Sequence, residues 1–169
     1  MRPQKGDYNP YFDNYISLVK GENILAALES NFKSTRDFLK SIPEEKADYA
    51  YAEGKWSLKQ VIIHITDTER VFAYRALTIA RGDNTPLPGY DENVWANNCA
   101  AEKRTIEDVV QEFLSVRQST IHLIKSFDEN IFLRKGIADN NPASVIALLF
   151  VIAGHELHHL NVLKERYTL

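Results

Sequence analysis

An almost continuous apolar run near the C-terminus, residues 145–152, most constrains how this chain folds. A helix that is apolar on all sides is normally buried by its neighbours, so this run predicts a central core helix. It leads into the segment Gly154-His155-Glu156-Leu157-His158-His159-Leu160, which holds three of the five histidines. His155 and His159 lie four residues apart and share one helical face. Two imidazoles one turn apart on a buried helix are a natural pair of metal ligands.

Three earlier segments carry apolar residues at the 3.6-residue period of amphipathic helices: residues 22–41, 58–80 and 106–126. The second of these begins with a capping box, in which Ser57 and Gln60 satisfy each other's free backbone donors. The pair Asn141-Pro142 has the pattern of an N-cap followed by proline at the first helical position. We therefore expect the last helix to run from there to about residue 167.

A long connection, residues 82–104, separates the second and third predicted helices. Its first part is rich in turn-forming residues, and residues 91–101 have room for a short helix. Connections of this length are unusual in compact domains and often act as crossovers. With four long helices and no strand-like alternation, the sequence predicts an all-α four-helix bundle. The crossover lets helices 2 and 3 run parallel, and residues 1–169 are expected to form one domain.

Composition narrows the partners and the cellular location. The net charge of −3 gives no support to binding of nucleic acid or of an anionic membrane surface. No run reaches the ~18 consecutive apolar residues of a membrane span, and the first residues lack the apolar region of a secretory signal. The single cysteine, Cys99, has no internal partner for a disulfide. The expectation is a cytoplasmic protein.

His64 is the obvious third ligand for the His155/His159 pair. It flanks the apolar stripe of the helix over residues 58–80, a position that faces a neighbouring helix or a cavity mouth. His122 is the other histidine outside the last helix, and His158 lies about 120° round that helix from its inward stripe. Three neutral imidazoles leave a fourth position open for water or substrate, as in catalytic zinc sites. Hydrogen-bonded core histidines are the alternative for all three.

Two short motifs overlap the same segment. His155-Glu156-Leu157-His158-His159 matches the H-E-x-x-H helix of zinc metalloproteases, but the third ligand of those enzymes comes from downstream and only ten residues follow His159. Residues 156–159 match the E-x-x-H motif of di-iron bundles, but the chain has no second E-x-x-H. Neither motif therefore has the partners that its site requires.

The whole pattern resembles the DinB/YfiT-like superfamily. The resemblance is carried by Trp56-Ser57-Leu58-Lys59-Gln60-Val61-Ile62-Ile63-His64-Ile65, by residues 75–83 and by Ala153-Gly154-His155-Glu156-Leu157-His158-His159, and it extends from about Tyr8 to the end. It implies a four-helix bundle of up-down-down-up topology and, commonly, a homodimer. It also implies one divalent metal, zinc or nickel with iron and manganese as further options, held here by His64, His155 and His159.

The same resemblance implies two kinds of chemistry. Relatives include metal-dependent hydrolases, in which water is activated, and transferases that use low-molecular-weight thiols. Glu156 is the candidate general base because it neighbours His155, although a solvent-facing or capping role is the alternative. A non-catalytic bundle protein that binds metal, a small molecule or another protein also fits the sequence.

Further residues are assigned possible supporting roles. Asp67 and Glu69 are candidate hydrogen-bond acceptors for the imidazoles, with surface ion pairs as the alternative. Arg75 lies about three turns after His64 on the same side and could recognise an anionic substrate, or instead form an ion pair at the bundle edge. Tyr90 and Trp95 could cover the site or pack the end of the bundle. We do not expect Cys99 to be a nucleophile.

Overall fold

The computed structural model describes residues 1–167. Its described part contains four long helices: α2 (Ile24–Lys40), α3 (Leu58–Ala80), α5 (Ile106–Lys125) and α6 (Val145–Arg166). Two short helices, α1 (Asp13–Leu18) and α4 (Glu92–Asn97), precede α2 and follow α3. A hairpin of β1 (Lys135–Ala138) and β2 (Asn141–Ser144) leads into α6. The four predicted long helices are confirmed.

Local capping sets where these helices begin. Ser57 Oγ accepts a hydrogen bond from the Gln60 N–H at 3.3 Å, and Gln60 Oε1 accepts one from the Ser57 N–H at 2.8 Å. This reciprocal pair confirms the predicted capping box and fixes the start of α3, the helix that carries His64. Thr105 caps α5 with a single hydrogen bond, in which its hydroxyl accepts from the Asp108 N–H at 3.2 Å.

Two apolar clusters at opposite ends of the bundle reveal the helix directions. One cluster joins the first halves of α2 and α6 to the last halves of α3 and α5. The other joins the last parts of α2 and α6 to the first parts of α3 and α5. Hence α2 and α6 run one way and α3 and α5 run the other. The predicted up-down-down-up bundle is confirmed, and the connection that contains α4 carries the chain back along the bundle.

The predicted start of the last helix at Asn141-Pro142 is wrong. Asn141 and Pro142 pair with Ala138 and Ile137 in the β-hairpin, so the chain also contains a small sheet that the sequence analysis did not expect. The turn residues Asp139 and Asn140 both have positive φ, 51° and 59°, as a two-residue hairpin turn of type I′ requires. The N-cap of α6 is instead Ser144, whose Oγ accepts from the Ala147 N–H at 3.2 Å.

Helix α6 occupies the centre of the bundle. Its length and composition would also allow it to span a membrane, since the mean hydropathy of its most apolar window is 1.5. Composition alone therefore does not exclude a membrane span for α6. However, 72% of that window is buried inside the protein. Apolar residues on all sides are what a fully surrounded core helix requires.

Helix α1 lies across α6 at Gly154. A Cβ atom at this position would come within 2.0 Å of the Tyr15 carbonyl oxygen, so the absence of a side chain allows the two backbones to approach. Arg2 holds the end of α1 by donating to the carbonyl oxygens of Ile16 and Val19, both at 2.8 Å. The close crossing at Gly154 therefore positions the Tyr15 side chain.

Replacing Gly154 with alanine tests this crossing. In a helix without such a contact, glycine to alanine stabilises by about 1 kcal/mol. We expect the opposite sign for Gly154→Ala, a loss of about 1–3 kcal/mol in the free energy of unfolding, because α1 must shift to admit the methyl group. Urea denaturation followed by circular dichroism measures it. Asn161→Ala, at an exposed position of α6, is the control, and a stabilised Gly154→Ala protein would contradict the expectation.

Candidate metal centre

Three imidazoles converge between α3 and α6. The Nε2 atom of His155 lies 3.0 Å from Nε2 of His64 and 3.1 Å from Nε2 of His159. Ligand atoms of the three histidines all lie within 4.8 Å of one another. The structure thus brings together the three residues proposed as ligands from the sequence. His158 packs beside them, with its ring 5.0 Å from that of His159, but it is not part of this cluster.

Two of the nitrogen–nitrogen separations, both from His155, are close to those found around a divalent metal ion. Zinc–nitrogen bonds of 2.0–2.1 Å in tetrahedral geometry place two ligand nitrogens about 3.4 Å apart. The separations from His155, 3.0 Å to His64 and 3.1 Å to His159, are a few tenths of an ångström shorter, and the three ligand atoms together span no more than 4.8 Å. Hydrogen bonds among the imidazoles explain the arrangement less well than a bound metal ion does, because each hydrogen bond needs an N–H group that faces a lone pair. A central cation satisfies three converging lone pairs at once.

Burial keeps these imidazoles neutral. It lowers the pKa of His64 to about 4 and that of His159 to about 3. The pKa of His155 is also lowered, by burial first and then by charge on the neighbouring histidines. All three side chains are therefore unprotonated near neutral pH, which is the form that binds a metal.

Aromatic rings surround the histidines. The Trp56 ring lies 4.7 Å from the His64 ring, and the Tyr15 ring lies 5.4 Å from that of His155 in an edge-on arrangement. Trp56 directly precedes the capping box of α3, and Tyr15 is positioned by the crossing at Gly154. Two segments that are distant in sequence, the start of α3 and helix α1, thus place aromatic rings around the histidines.

A cavity of about 420 Å³ opens onto the cluster. The three histidines line it together with Thr68, Phe72, Arg75 and Tyr90, and aromatic side chains from residues 11–15 form another wall. The hydroxyl groups of Thr68 and Tyr90 are hydrogen bonded at 2.8 Å. A volume of this size is typical of small-molecule sites.

A buried ion network lies behind the histidines, away from the cavity. Arg117, fully buried, donates to Glu69 through Nε at 2.9 Å and Nη2 at 2.8 Å, and to Glu156 Oε2 through Nη1 at 2.7 Å. Thr35 completes the network by donating to Glu156 Oε1 at 2.6 Å. These four residues come one each from α2, α3, α5 and α6.

Comparison with known proteins places the chain in a family. Its sequence matches the DinB superfamily over residues 27–163, which is most of its length. The chain belongs to the DinB superfamily. A presumed metal-dependent hydrolase of Oceanobacillus iheyensis, a similar relative, is 27% identical over 149 residues, which cover 83% of this chain and 81% of the relative.

Solved structures share the fold of this DinB-superfamily chain. YfiT of Bacillus subtilis, described as a probable metal-dependent hydrolase with an unusual four-helix bundle topology, superposes with a TM-score of 0.71 at 17% identity. That match covers 98% of this chain and 90% of YfiT. A mycothiol-dependent maleylpyruvate isomerase superposes with a TM-score of 0.68 at 10% identity, over 86% of this chain and 61% of the isomerase.

Glu156, the catalytic candidate, is fully buried, so the alternative of a solvent-facing or capping glutamate is wrong. Both carboxylate oxygens already accept hydrogen bonds, from Thr35 and from Arg117. These contacts make Glu156 a member of the buried ion network around Arg117. Its catalytic role stays a prediction.

The residues that were assigned supporting roles from the sequence lie in different surroundings. Asp67 pairs with Arg70 at 3.1 Å, as the surface alternative supposed, whereas Glu69 pairs with Arg117 in the interior. Tyr90 lines the cavity, and the Trp95 ring packs against the Tyr90 ring at a tilt of 41°, with ring centroids 4.7 Å apart. Cys99 donates its S–H to the Ala96 carbonyl at 3.1 Å, and burial raises the pKa of its thiol.

Arg117 was not among the residues predicted from the sequence to have a role in the site. Its signal was present, because Arg117 interrupts the apolar stripe of α5 between Phe113 and Ile121, one turn from each. A charged residue at such a position requires buried partners of opposite charge. Its two glutamates are remote in sequence, so their identity could not be read from α5 alone.

Arg117→Met tests the network. This change keeps the aliphatic volume but leaves two buried carboxylates without their cation, so we expect a loss of about 3–5 kcal/mol in the free energy of unfolding. Urea denaturation measures the loss. The control is Arg70→Met, which removes a half-exposed arginine paired with Asp67 and Glu112 and is expected to cost under ~1 kcal/mol. Equal losses in both variants would contradict a special role for the buried network.

Proposed function

We propose that this protein is a metal-dependent enzyme in which His64, His155 and His159 bind one divalent ion, zinc or nickel. The observation that carries the proposal is the convergence of three neutral imidazoles at a cavity large enough for a small molecule. Three protein ligands leave a coordination position for water or substrate, whereas structural zinc sites use four. The naming of the Oceanobacillus iheyensis relative as a metal-dependent hydrolase supports the same activity class.

A divalent ion bound there would lower the pKa of a water or thiol ligand, so that the nucleophilic form is available near neutral pH. The protein's own residues supply the surroundings of that reaction. Trp56 and Tyr15 limit access of bulk water to the imidazoles, and the Thr68–Tyr90 hydroxyl pair offers a polar contact on the cavity wall. A small-molecule substrate fits this cavity.

Hydrolysis is the first candidate and thiol transfer the second. The second is supported by the fold shared with a mycothiol-dependent isomerase, an enzyme whose name specifies a low-molecular-weight thiol. Both proposals use the same three histidines and differ only in the nucleophile. The homodimer and the cytoplasmic location stay predictions from the sequence.

Metal analysis tests the ligand set. We expect protein purified without an affinity tag to contain about one divalent ion per chain, and His64→Ala or His155→Ala to reduce that content severely because two imidazoles hold the ion weakly. Mass spectrometry of the metals measures it. The control is His158→Ala, which removes a neighbouring histidine outside the cluster and is expected to keep the ion. Equal metal content in all variants would refute the site.

A turnover screen separates the two candidate reactions. One arm supplies esters and amides; the other supplies a low-molecular-weight thiol with an electrophilic acceptor. We expect turnover in one arm, and we expect His159→Ala to reduce it at least about a hundredfold, because loss of a metal ligand severely lowers the rate of a metal-dependent reaction. The control variant His158→Ala is expected to retain most of the turnover. If metal is bound but neither arm shows turnover that depends on His159, the protein is a binding protein and the enzymatic proposal fails.

A further inference from the structure

Arg75 places a positive charge in the cavity, and no carboxylate of residues 1–167 forms an ion pair with it. Only 5% of the residue's surface is exposed. Its Nη2 donates to the Pro88 carbonyl at 2.6 Å, and its guanidinium lies 5.0 Å from the centroid of the Phe72 ring. Within residues 1–167, no carboxylate oxygen lies within the 4.0 Å of an ion pair with Arg75. The bundle-edge ion pair considered as an alternative is therefore absent there.

The other buried basic side chains of the described residues are paired. Arg117 has two glutamates, and Lys59 lies 2.9 Å from Asp48. Burying a cation is costly unless an anion compensates it. Arg75 differs because it faces a cavity, where a bound molecule can supply the missing negative charge.

Arg75 and the histidine cluster face the same cavity from the same helix. His64, Thr68, Phe72 and Arg75 follow one another along one face of α3, and all four line the cavity. Roughly 16 Å of helix axis separates His64 from Arg75 at 1.5 Å per residue. The long Arg75 side chain leans back toward the N-terminus of α3, so a molecule that contacts both side chains spans less than this distance but still extends along the helix.

Two acidic residues also line the cavity, but they do not replace such an anion. Asp139 and Glu92 are both exposed, so solvent screens their charge. Arg75, in contrast, is buried, so solvent screens its charge less than the charges of these two carboxylates. The interior of the cavity therefore favours an anionic ligand.

We propose that Arg75 binds an oxyanion, a carboxylate in the simplest case, at the end of an elongated substrate or thiol whose other end reaches the histidine cluster. A guanidinium presents a planar fork of donors that matches such a group. This inference rests on the proposed metal-dependent function and specifies its substrate class. Arg75 acts as a binding and specificity residue at a distance from the reacting atoms.

Thiol probes of different length and charge test the inference on protein loaded with Co²⁺. Binding of sulfur to cobalt is followed by its visible charge-transfer absorption, which needs no turnover. We expect 8-mercaptooctanoate to bind at least about tenfold more tightly than its neutral amide, because a charge-assisted hydrogen bond is added. The short pair, 3-mercaptopropionate and its amide, is expected to show little difference, since its carboxylate does not reach Arg75.

Variants of Arg75 test whether this residue causes the preference for the long acid over its amide. Arg75→Gln retains a donor for the Pro88 carbonyl and is expected to bring the affinity ratio of the long acid to its amide close to one, with affinity for the amide within about twofold. Arg75→Lys keeps the charge without the fork and is expected to give an intermediate ratio. Arg70→Gln, on the same helix but outside this cavity, is expected to leave the ratio unchanged.

A second pair of probes identifies which molecule carries the anion. Alkyl hydroxamates with a terminal carboxylate or amide imitate an acyl substrate, and their affinities are obtained by displacement of the thiol probe. A larger acid preference in this series assigns the anion to the substrate; a larger preference in the thiol series assigns it to the thiol.

Failure of the Arg75 inference and failure of the proposed metal-dependent function give different results. Equal affinity for acid and amide at every length in both series, or a ratio that survives Arg75→Gln, overturns the Arg75 inference while sulfur still binds the metal. Absence of cobalt binding or of a sulfur–cobalt band with every thiol removes the proposed metal and thiol chemistry, and the inference with it. Affinity for the amide and the near-ultraviolet circular dichroism show whether the Arg75 variants remain folded.

Discussion

The buried bridge from Arg117 to Glu69 and Glu156 is the interaction on which the relative positions of the long helices depend. With Thr35 it joins α2, α3, α5 and α6 in one set of hydrogen bonds of 2.6–2.9 Å. Sliding one helix by a single turn, about 5.4 Å, would break these bonds and leave buried charge unpaired. Apolar contacts hold helices together without fixing such a register, because similar side chains recur along each stripe. The network therefore adds a directional constraint on helix alignment to the hydrophobic packing.

That alignment determines the candidate metal centre. His64 precedes Glu69 by five residues on α3, and His155 directly precedes Glu156 on α6. Fixing the two glutamates against one guanidinium thus also fixes the two imidazoles against each other. The network has one more negative than positive charge, which offsets part of the positive charge of an ion held by neutral histidines. In the proposed metal site, the network would place and support the three histidines, while their other side faces the cavity.

Sequence predicts the parts of this architecture that depend on local chemistry. Ser57 and Gln60 are three residues apart, so their capping box could be recognised from spacing alone, and the long helices follow from their apolar period. The hairpin before α6 was missed because Asn141-Pro142 is compatible with a helix start and with a strand, and the preceding Asp139-Asn140 turn decides between them. The bridge at Arg117 was missed because its partners lie on other helices.

The segment His155-Glu156 shows why neighbours in sequence need not share a role in a site. Successive residues of a helix point about 100° apart, so when His155 faces the cavity Glu156 faces a different side. Here that side is the bundle interior, where Arg117 and Thr35 occupy both carboxylate oxygens. A proton transfer by Glu156 would require breaking the bridge that holds the helices in register. The literal H-E-x-x-H pattern thus combines two functions in adjacent residues: one imidazole for the candidate metal site and one carboxylate for the alignment that creates it.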